Sequence, residues 1–344
     1  MFFARGGRWK RLRTVASPAF SVSNLKKAML LMDDSVKNAI DFLEEARNGG
    51  KAINIHRHFV KMTFDVISRV ALGQRDSQQF RTDTAQLAMA VMMRMNSTVF
   101  DYVAWLFPWF GLHFVHPFVE WSGLLRNDPL AMLKQQLLKE VQQRKQQMER
   151  RQTPQASEDF IDLVFNNKSA HSIEKTNTSE EIVMQLVSFL LAGFDTTANS
   201  LSPARDRFDL YRRDFSVLLL MNRICSQTMT LGDHSVEEGT VIVVDVLSVH
   251  RDKSVWGEDA ERFRPERWLE EGRQLPPVYS FGGGPRVCIG MRLAMIEEKL
   301  ALIRILRKYS IVPCEDTEVE LDFCGQIVLI PKAVTVDLKL REEQ

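Results

Sequence analysis

The segment Phe281-Gly282-Gly283-Gly284-Pro285-Arg286-Val287-Cys288-Ile289-Gly290 runs directly into a helical pattern, whose apolar residues recur on one face from Leu293 to Leu306. Three consecutive glycines and a proline predict a turn whose backbone can approach a large flat ligand, because glycine has no Cβ to collide with it. Cys288 stands just before the helix, where unpaired N–H groups and the positive end of the helix dipole favour a thiolate. Such a cysteine suits an axial ligand to haem iron.

A second residue of this segment points to the same kind of ligand. Arg286 lies two residues before the cysteine and is suited to bind an anionic carboxylate. The alternative is a structural cysteine buried in a glycine-rich turn, which is the usual interpretation of a lone cysteine. The four cysteines of the 344-residue chain are too few for a disulfide framework, and they favour a reducing compartment or one specialised thiol.

Helical periodicity dominates the chain and predicts a mainly α fold with small β-sheets. Residues 241–244 are β-branched and predict a strand, and residues 319–340 alternate as a hairpin would. Between them, residues 256–286 have mostly loop composition. The predicted helices, besides a long one treated next, cover residues 23–46, 55–71, 80–95, 129–152 and 290–308.

A capping box predicts the start of the long helix. Thr178-Ser179-Glu180-Glu181 opens an apolar pattern that runs to Leu201, about 23 residues or roughly 34 Å, and Pro203 ends it. Late in this helix comes the sequence Ala192-Gly193-Phe194-Asp195-Thr196-Thr197. Alanine and glycine let a helix pass close over a flat cofactor, and the acid and hydroxyl that follow can relay protons. The alternative is that these small residues serve only ordinary packing between helices.

Charge and hydropathy exclude several classes of protein. The 45 basic and 44 acidic side chains give a net charge of +1, so the bulk charge does not indicate nucleic acid binding. No run of about 18 apolar residues lacks a helix breaker, and no transmembrane helix is predicted. The nearest approach is the uncharged, aromatic-rich segment 103–119, which Pro108, Gly111 and Pro117 prevent from forming one straight helix. It is either a buried aromatic core segment or a surface that enters a bilayer interface.

The cysteine segment resembles the haem-binding signature of the cytochrome P450 family, Phe-x-x-Gly-x-Arg-x-Cys-x-Gly, and matches it at every fixed position. The stretches His250-Arg251-Asp252 and Phe263-Arg264-Pro265-Glu266-Arg267-Trp268 are also similar to the family. The resemblance is strongest to the microsomal clan that contains the vertebrate family 3 drug-metabolising enzymes and thromboxane synthase. It implies a single domain over residues 1–344 that binds haem b. Cys288 would ligate the iron, and the cofactor contacts of this segment would be Phe281, Gly284, Arg286 and Gly290.

The resemblance extends to the long helix and to two arginines. It implies that Asp195 and Thr196 are the catalytic pair that delivers protons, with Ala192 and Gly193 beside the cofactor. Trp9 and Arg13, four residues apart on one helical turn, resemble the element that grips the haem propionates. Arg223 resembles a further propionate contact, although an exposed arginine is the alternative.

The sequence also departs from the family pattern. The Trp-x-x-x-Arg element begins at residue 9, which predicts that the membrane anchor, part of a β-sheet and the first helices are lacking. Residues 203–216 form an atypical junction in which the family's Glu-x-x-Arg helix is absent, and Thr196 and Cys288 lie only 92 residues apart. Arg267 is therefore expected to lose its carboxylate partner, and apolar surface is expected to be exposed.

These observations leave more than one function open. The leading one is a haem monooxygenase that takes electrons from NADPH through a flavoprotein reductase, with cytochrome b5 as a second donor, and acts on an apolar small molecule. The alternatives are a non-catalytic remnant that does not bind haem stably and a haem-thiolate isomerase or dehydratase. The expected location is the cytosolic face of the endoplasmic reticulum membrane, or the cytosol for a chain without an anchor. Lys10, Arg11, Lys299 and Lys308 are predicted to form a basic docking face. The predicted substrate pocket contains Phe194, Leu218, Leu219, Leu220, Ile327, Val328 and Leu329.

Overall fold

The computed structural model describes residues 4–80, 83–94, 110, 113–114, 117–118, 128–150, 160–166, 178–202, 220–260, 262, 264–269, 278–324 and 328–341. Within these residues the fold is mainly α-helical, with small antiparallel sheets, as predicted. The junction predicted at residues 203–216 lies outside the described residues.

The helices closely follow the apolar periodicity of the sequence. They are α1 (Gly6–Ala16), α2 (Val22–Asn48), α3 (Ile55–Leu72), α4 (Asp83–Arg94), α5 (Pro129–Arg150), α6 (Phe160–Asn166), α7 (Ser179–Leu201), α8 (Val246–Arg251), α9 (Lys253–Trp256) and α10 (Met291–Lys308). Short 3-10 helices cover Ser17–Phe20, Pro265–Trp268 and Gly284–Arg286.

The long helix α7 begins and ends where its sequence signals place it. The Thr178 side chain accepts a hydrogen bond from the Glu181 backbone N–H at 3.2 Å, which confirms the predicted cap. The helix spans 23 residues and ends at Leu201. Among the described helices it alone is long and apolar enough to cross a membrane, and 61% of its apolar stretch is buried inside the molecule. That burial is typical of a core helix.

The strands pair in an order that the sequence pattern only partly predicts. They are β1 (Ile53–Asn54), β2 (Leu220–Ile224), β3 (Met229–Leu231), β4 (His234–Val236), β5 (Val241–Asp245), β6 (Tyr309–Val312), β7 (Phe323–Cys324), β8 (Ile330–Pro331) and β9 (Thr335–Leu340). Among the described residues of the hairpin predicted over 319–340, only β7 and β8 pair with each other. Strand β9 lies instead between β1 and β6, where its Val336 and Leu338 are buried in the core.

The closest helix packing joins α7 to α3 and explains one glycine. A Cβ added at Gly193 would lie 2.8 Å from Ile67 Cγ1, closer than real Cβ contacts allow. One residue on, the Phe194 ring meets Phe64 edge to face at 5.6 Å, and its carbonyl accepts a hydrogen bond from Thr63 Oγ1 at 2.7 Å. The missing side chain at Gly193 therefore makes room for α3.

A buried ion pair network joins α2 to α3. Arg69, only 4% exposed, donates to Asp34 Oδ2 at 2.7 Å and to Ser35 Oγ at 2.9 Å. Ser35 in turn donates to Asp65 Oδ2 at 2.7 Å, and the Gln78 backbone N–H donates to Asp65 Oδ1 at the same distance. Because Asp65 is only 2% exposed, these donors are what keep its charge solvated.

The sequence predicts that Arg267 lacks a carboxylate partner, and this prediction is wrong. Its Nη2 lies 3.6 Å from Asp259 Oδ2 and donates to the carbonyls of Asp259 and Arg262 at 3.0 Å. Its Nε donates to the Arg264 carbonyl at 3.2 Å. The loop that carries the arginine thus supplies its partners locally, and the predicted cost of an unpaired buried charge does not arise.

Candidate active site

The cysteine loop has the shape that its glycines require. Gly282 and Gly284 adopt positive φ angles of 78° and 69°, where residues with a Cβ are strained. The loop closes through a hydrogen bond from the Cys288 backbone N–H to the Phe281 carbonyl at 2.8 Å. The chain then enters α10 after Gly290, so Cys288 stands three residues before the first helical residue, Met291, as predicted.

The thiol of Cys288 is surrounded by protein atoms without being covered by them. The residue is exposed to solvent, yet burial raises the pKa of its thiol, against the opposing effects of the Gly290 and Met291 backbone N–H groups and of Arg13. The helix terminus was expected to dominate and favour the thiolate, but desolvation outweighs it. Cys288 is therefore an exposed residue whose thiol the surrounding protein partly desolvates.

The predicted propionate contacts converge beside this loop. The Arg286 guanidinium lies 4.6 Å from the centre of the Trp9 ring, and Arg223 Nη2 donates to the Gly283 carbonyl of the cysteine loop at 2.7 Å. Burial, with the nearby charge of Arg223, lowers the pKa of Arg286. Neither of these arginines nor Arg13 forms an ion pair with any carboxylate that the structure describes. Three such guanidinium groups around one loop favour a ligand with more than one negative charge.

The predicted cofactor contacts on α7 differ in the direction they face. Ala192 is exposed, and Thr196, one turn later, is half-buried. The missing side chain of Gly193 faces Ile67. Phe194, predicted to line the pocket, is fully buried against α3. The accessible face of α7 is therefore the one that carries Ala192 and Thr196.

The two predicted catalytic side chains also have separate partners. Thr196 Oγ1 donates to the Ala192 carbonyl at 2.6 Å. Asp195 is fully buried, with Oδ2 accepting from Asn199 Nδ2 at 3.2 Å and Oδ1 without a partner among the described residues. Burial raises the pKa of Asp195 to about 6, with the Asn199 hydrogen bond acting in the opposite direction. The acid can therefore hold a proton near neutral pH.

The pKa of Asp195 predicts a pH-dependent effect of Asp195→Asn on stability. Because the folded pKa exceeds the unfolded value of about 3.9, the fold loses stability as the pH rises through this interval, and the loss is complete above pH 6. We expect Asp195→Asn to raise the free energy of unfolding by about 2–3 kcal/mol at pH 8 and to change it little at pH 4. Urea titrations at both pH values measure this, with the exposed Asp316→Asn as control. An equal effect at the two pH values would contradict it.

Two residues of the accessible α7 face were missed in the sequence. Ser188 and Leu191 are both half-buried; Ser188 lies one turn before Ala192, and Leu191 directly precedes it. The 3.6-residue spacing back from Ala192 could have found Ser188. Of the other predicted pocket residues, Val328 and Leu329 are half-buried. Leu220 begins β2, where only its backbone is described. Leu218, Leu219 and Ile327 lie outside the described residues.

Aromatic rings connect the cysteine loop to α7. A Cβ added at Gly290 would lie 3.8 Å from Cys288 Sγ and 3.9 Å from Phe20 Cε1. The Phe20 ring meets Phe189 of α7 edge to face at 5.3 Å. Phe20 thus lies between the end of the cysteine loop and the middle of α7.

The residues present fit haem. An exposed cysteine just before a helix, with two backbone N–H groups that hydrogen-bond to its sulfur, is suited to iron. Three arginines without described carboxylate partners suit two propionates, and the exposed Ala192 leaves room for a flat ring. Within the described part of the chain, no cluster of three or more His, Cys, Asp or Glu side chains offers an alternative metal site.

Comparison with known proteins identifies one family. The family model described as Cytochrome P450 matches residues 1–204 and 212–338. In Caenorhabditis elegans, Putative cytochrome P450 cyp-13B1 is 35% identical over 392 residues, covering 99% of this chain and 76% of the relative. Putative cytochrome P450 CYP13A8 of the same organism is 31% identical over 402 residues, covering 98% and 77%. Putative cytochrome P450 CYP13A5, also from that organism, is 33% identical over 400 residues, covering 98% and 76%.

Proposed function

The chain belongs to the cytochrome P450 family, and from this premise we propose that it is a haem-thiolate monooxygenase acting on an apolar organic substrate. The observation that carries the proposal is Cys288, whose accessible sulfur stands at the start of α10 beside three arginines. When bound, haem would supply the binding and reductive activation of dioxygen, with the thiolate donating electron density to the iron.

The residues of this chain would hold the cofactor from two sides. Cys288 would ligate the iron, while Arg13, Arg223, Arg286 and the Trp9 N–H would bind the propionates. The positive φ of Gly284 lets the loop turn beside the ring. The half-buried residues Ser188 and Leu191 would contact the substrate along the accessible face of α7. Val328 and Leu329, which precede β8, would contact it as well.

Asp195 and Thr196 would hold and move the protons that oxygen chemistry requires. Thr196 presents its hydroxyl on the accessible face, and Asp195 can carry a proton near neutral pH. Since Asp195 bonds to Asn199, transfer to Thr196 requires either a bridging water or rotation of the Asp195 side chain. This proton-delivery pair favours a monooxygenase over an isomerase or dehydratase, which needs no protons for oxygen cleavage.

Electrons would come from NADPH through a flavoprotein reductase, with cytochrome b5 as a second donor. Of the four residues predicted to form the docking face, Arg11 is already paired with Glu181 at 2.8 Å and Lys308 with Glu44. Lys10 and Lys299 are exposed and form no ion pair with a described carboxylate. They are the better candidates for contacts with an acidic partner.

Reconstitution with haem tests the proposal directly. We expect about one haem per chain and a thiolate-type Soret band in the reduced carbon monoxide complex. NADPH oxidation should then depend on the reductase. A haem content near zero in soluble, monodisperse protein would overturn the proposal.

A second candidate is a non-catalytic protein that does not bind haem stably. One result of the comparisons supports it. The family match is interrupted between residues 204 and 212, and the aligned regions of the relatives are longer than this 344-residue chain. We propose that a Glu-x-x-Arg helix has been lost at the junction 203–216. The haem content of the purified protein separates this candidate from the monooxygenase.

We also propose that the chain belongs to the microsomal clan and acts on the cytosolic face of the endoplasmic reticulum membrane. Phe110, Phe114 and Phe118, spaced as on one helical face, are 46%, 53% and 50% exposed. The first two rings stack at 5.1 Å. Large aromatic side chains at the surface suit the interface of a bilayer.

This membrane contact predicts the result of a flotation experiment. We expect the triple variant Phe110→Ser, Phe114→Ser, Phe118→Ser to bind phosphatidylcholine vesicles about tenfold more weakly than the parent, since it loses three apolar anchors. The double variant Val241→Ser, Val243→Ser, which changes exposed apolar residues elsewhere, is the control. Equal binding by parent and triple variant would exclude this surface.

A further inference from the structure

A polar contact connects the two helices that carry the opposite sides of the proposed site. Ser200 of α7 hydrogen-bonds to Glu298 of α10 through its hydroxyl and the carboxyl Oε1. Ser200 stands one turn after Thr196, and Glu298 stands two turns into the helix that follows Cys288. The contact therefore spans from the proton-delivery turn to the helix that presents the sulfur.

The hydroxyl of Ser200 has a second partner within its own helix. It lies 2.9 Å from the Thr197 carbonyl, to which it can donate. A hydroxyl carries one proton, so the Thr197 carbonyl and Glu298 Oε1 share Ser200 as their donor. Burial raises the pKa of Glu298, while the Ser200 hydrogen bond and the charge of Lys299 act in the opposite direction.

The residues around Ser200 and Glu298 offer few other polar contacts between α7 and α10. The neighbouring Glu297 is only 1% exposed, and its Oε1 has no hydrogen-bond partner among the described residues. Lys299, on the other side in sequence, is exposed. Near the cysteine, the link from α10 to α7 is apolar and passes through Phe20. Ser200 and Glu298 thus supply the directional contact between the two helices.

We propose that Ser200 and Glu298 are positioning residues, which hold the Asp195–Thr196 turn at a fixed distance from the helix that presents Cys288. The inference rests on the proposed haem site, because that distance matters only if a ligand occupies the space between. Neither residue is assigned contact with haem or substrate. Their effect is expected through the width and rigidity of the space opposite the sulfur.

Ligand affinity on the side opposite the sulfur tests the inference. We expect Ser200→Ala and Glu298→Ala each to weaken the binding of imidazole to the haem-loaded protein about fivefold, and the double variant to show no larger loss, as expected for one shared interaction. Ser200→Thr and Glu298→Gln keep hydrogen-bonding groups and should remain within twofold of the parent. Glu45→Ala, at an exposed acid on α2, is the control.

Hydrogen exchange provides a readout that does not depend on haem. In the Ala variants, the amides of residues 196–202 should exchange about tenfold faster than in the parent, with α2 unchanged. If Glu298→Ala fails to fold, Ser200→Ala, which removes a single oxygen, still decides the matter. Unchanged imidazole affinity and exchange, or additive losses in the double variant, would overturn the inference. A parent protein that binds no haem would instead overturn the proposed function.

Discussion

Replacement of Cys288 by alanine is expected to abolish the thiolate-type Soret band and to lower haem affinity more than about 100-fold. Cys288 is an exposed cysteine just before α10, and the described residues hold no cluster of three or more His, Cys, Asp or Glu side chains that could replace it. The arginine cluster would still attract the propionates, so weak association with an altered spectrum should remain. Titration with haem, followed by reduction and addition of carbon monoxide, measures both quantities.

The matched control is Cys314→Ser, which changes a half-buried cysteine whose contacts are with Thr317. We expect this variant to retain the spectrum and haem affinity of the parent. If Cys288→Ala kept the thiolate-type band, another cysteine would be the ligand and the assigned site would be wrong. Circular dichroism of both variants separates loss of the ligand from loss of the fold.

Arg69→Leu is expected to lower the free energy of unfolding by about 3–5 kcal/mol. The substitution removes the donor to Asp34 and Ser35 and leaves Asp65 buried with no cation nearby. With a total stability of about 5–15 kcal/mol, the variant should be unfolded or close to it at 37 °C. Urea titration at 15 °C gives the difference.

An exposed ion pair provides the comparison for Arg69. Lys332 and Asp322 are 59% and 68% exposed, and Lys332→Met should cost less than about 1 kcal/mol. Similar costs for the two substitutions would show that the α2–α3 network is not the strong contact that its burial indicates.

The sequence predicts the helices and the turn of the cysteine loop well, for identifiable reasons. The capping box at Thr178 and the proline after Leu201 are local signals, and α7 follows them to the residue. The glycine and cysteine pattern of the loop is equally local, since its positive φ angles depend on the glycines themselves. Such features need no knowledge of what packs against them.

The features that the sequence could not predict depend on distant partners. Gly193 faces Ile67, more than 120 residues away in the chain, so its role in α3 packing was not visible in its own motif. Arg267 finds its carboxylate in Asp259 rather than in the expected helix. The pKa of Cys288 depends on how much protein surrounds the thiol, and no sequence pattern reports this.

The three arginines around the cysteine loop determine which buffer suits the protein. The charge of Arg223 lowers the pKa of Arg286, and the charge of Arg13 acts on Cys288 of the same loop. Like charges so placed repel one another until an anion arrives. The protein purified without its ligand should therefore be more stable to unfolding in phosphate buffer than in dilute chloride. A multivalent counterion offsets the repulsion between the arginines. A buffer with a multivalent anion should therefore help to keep the protein folded during purification.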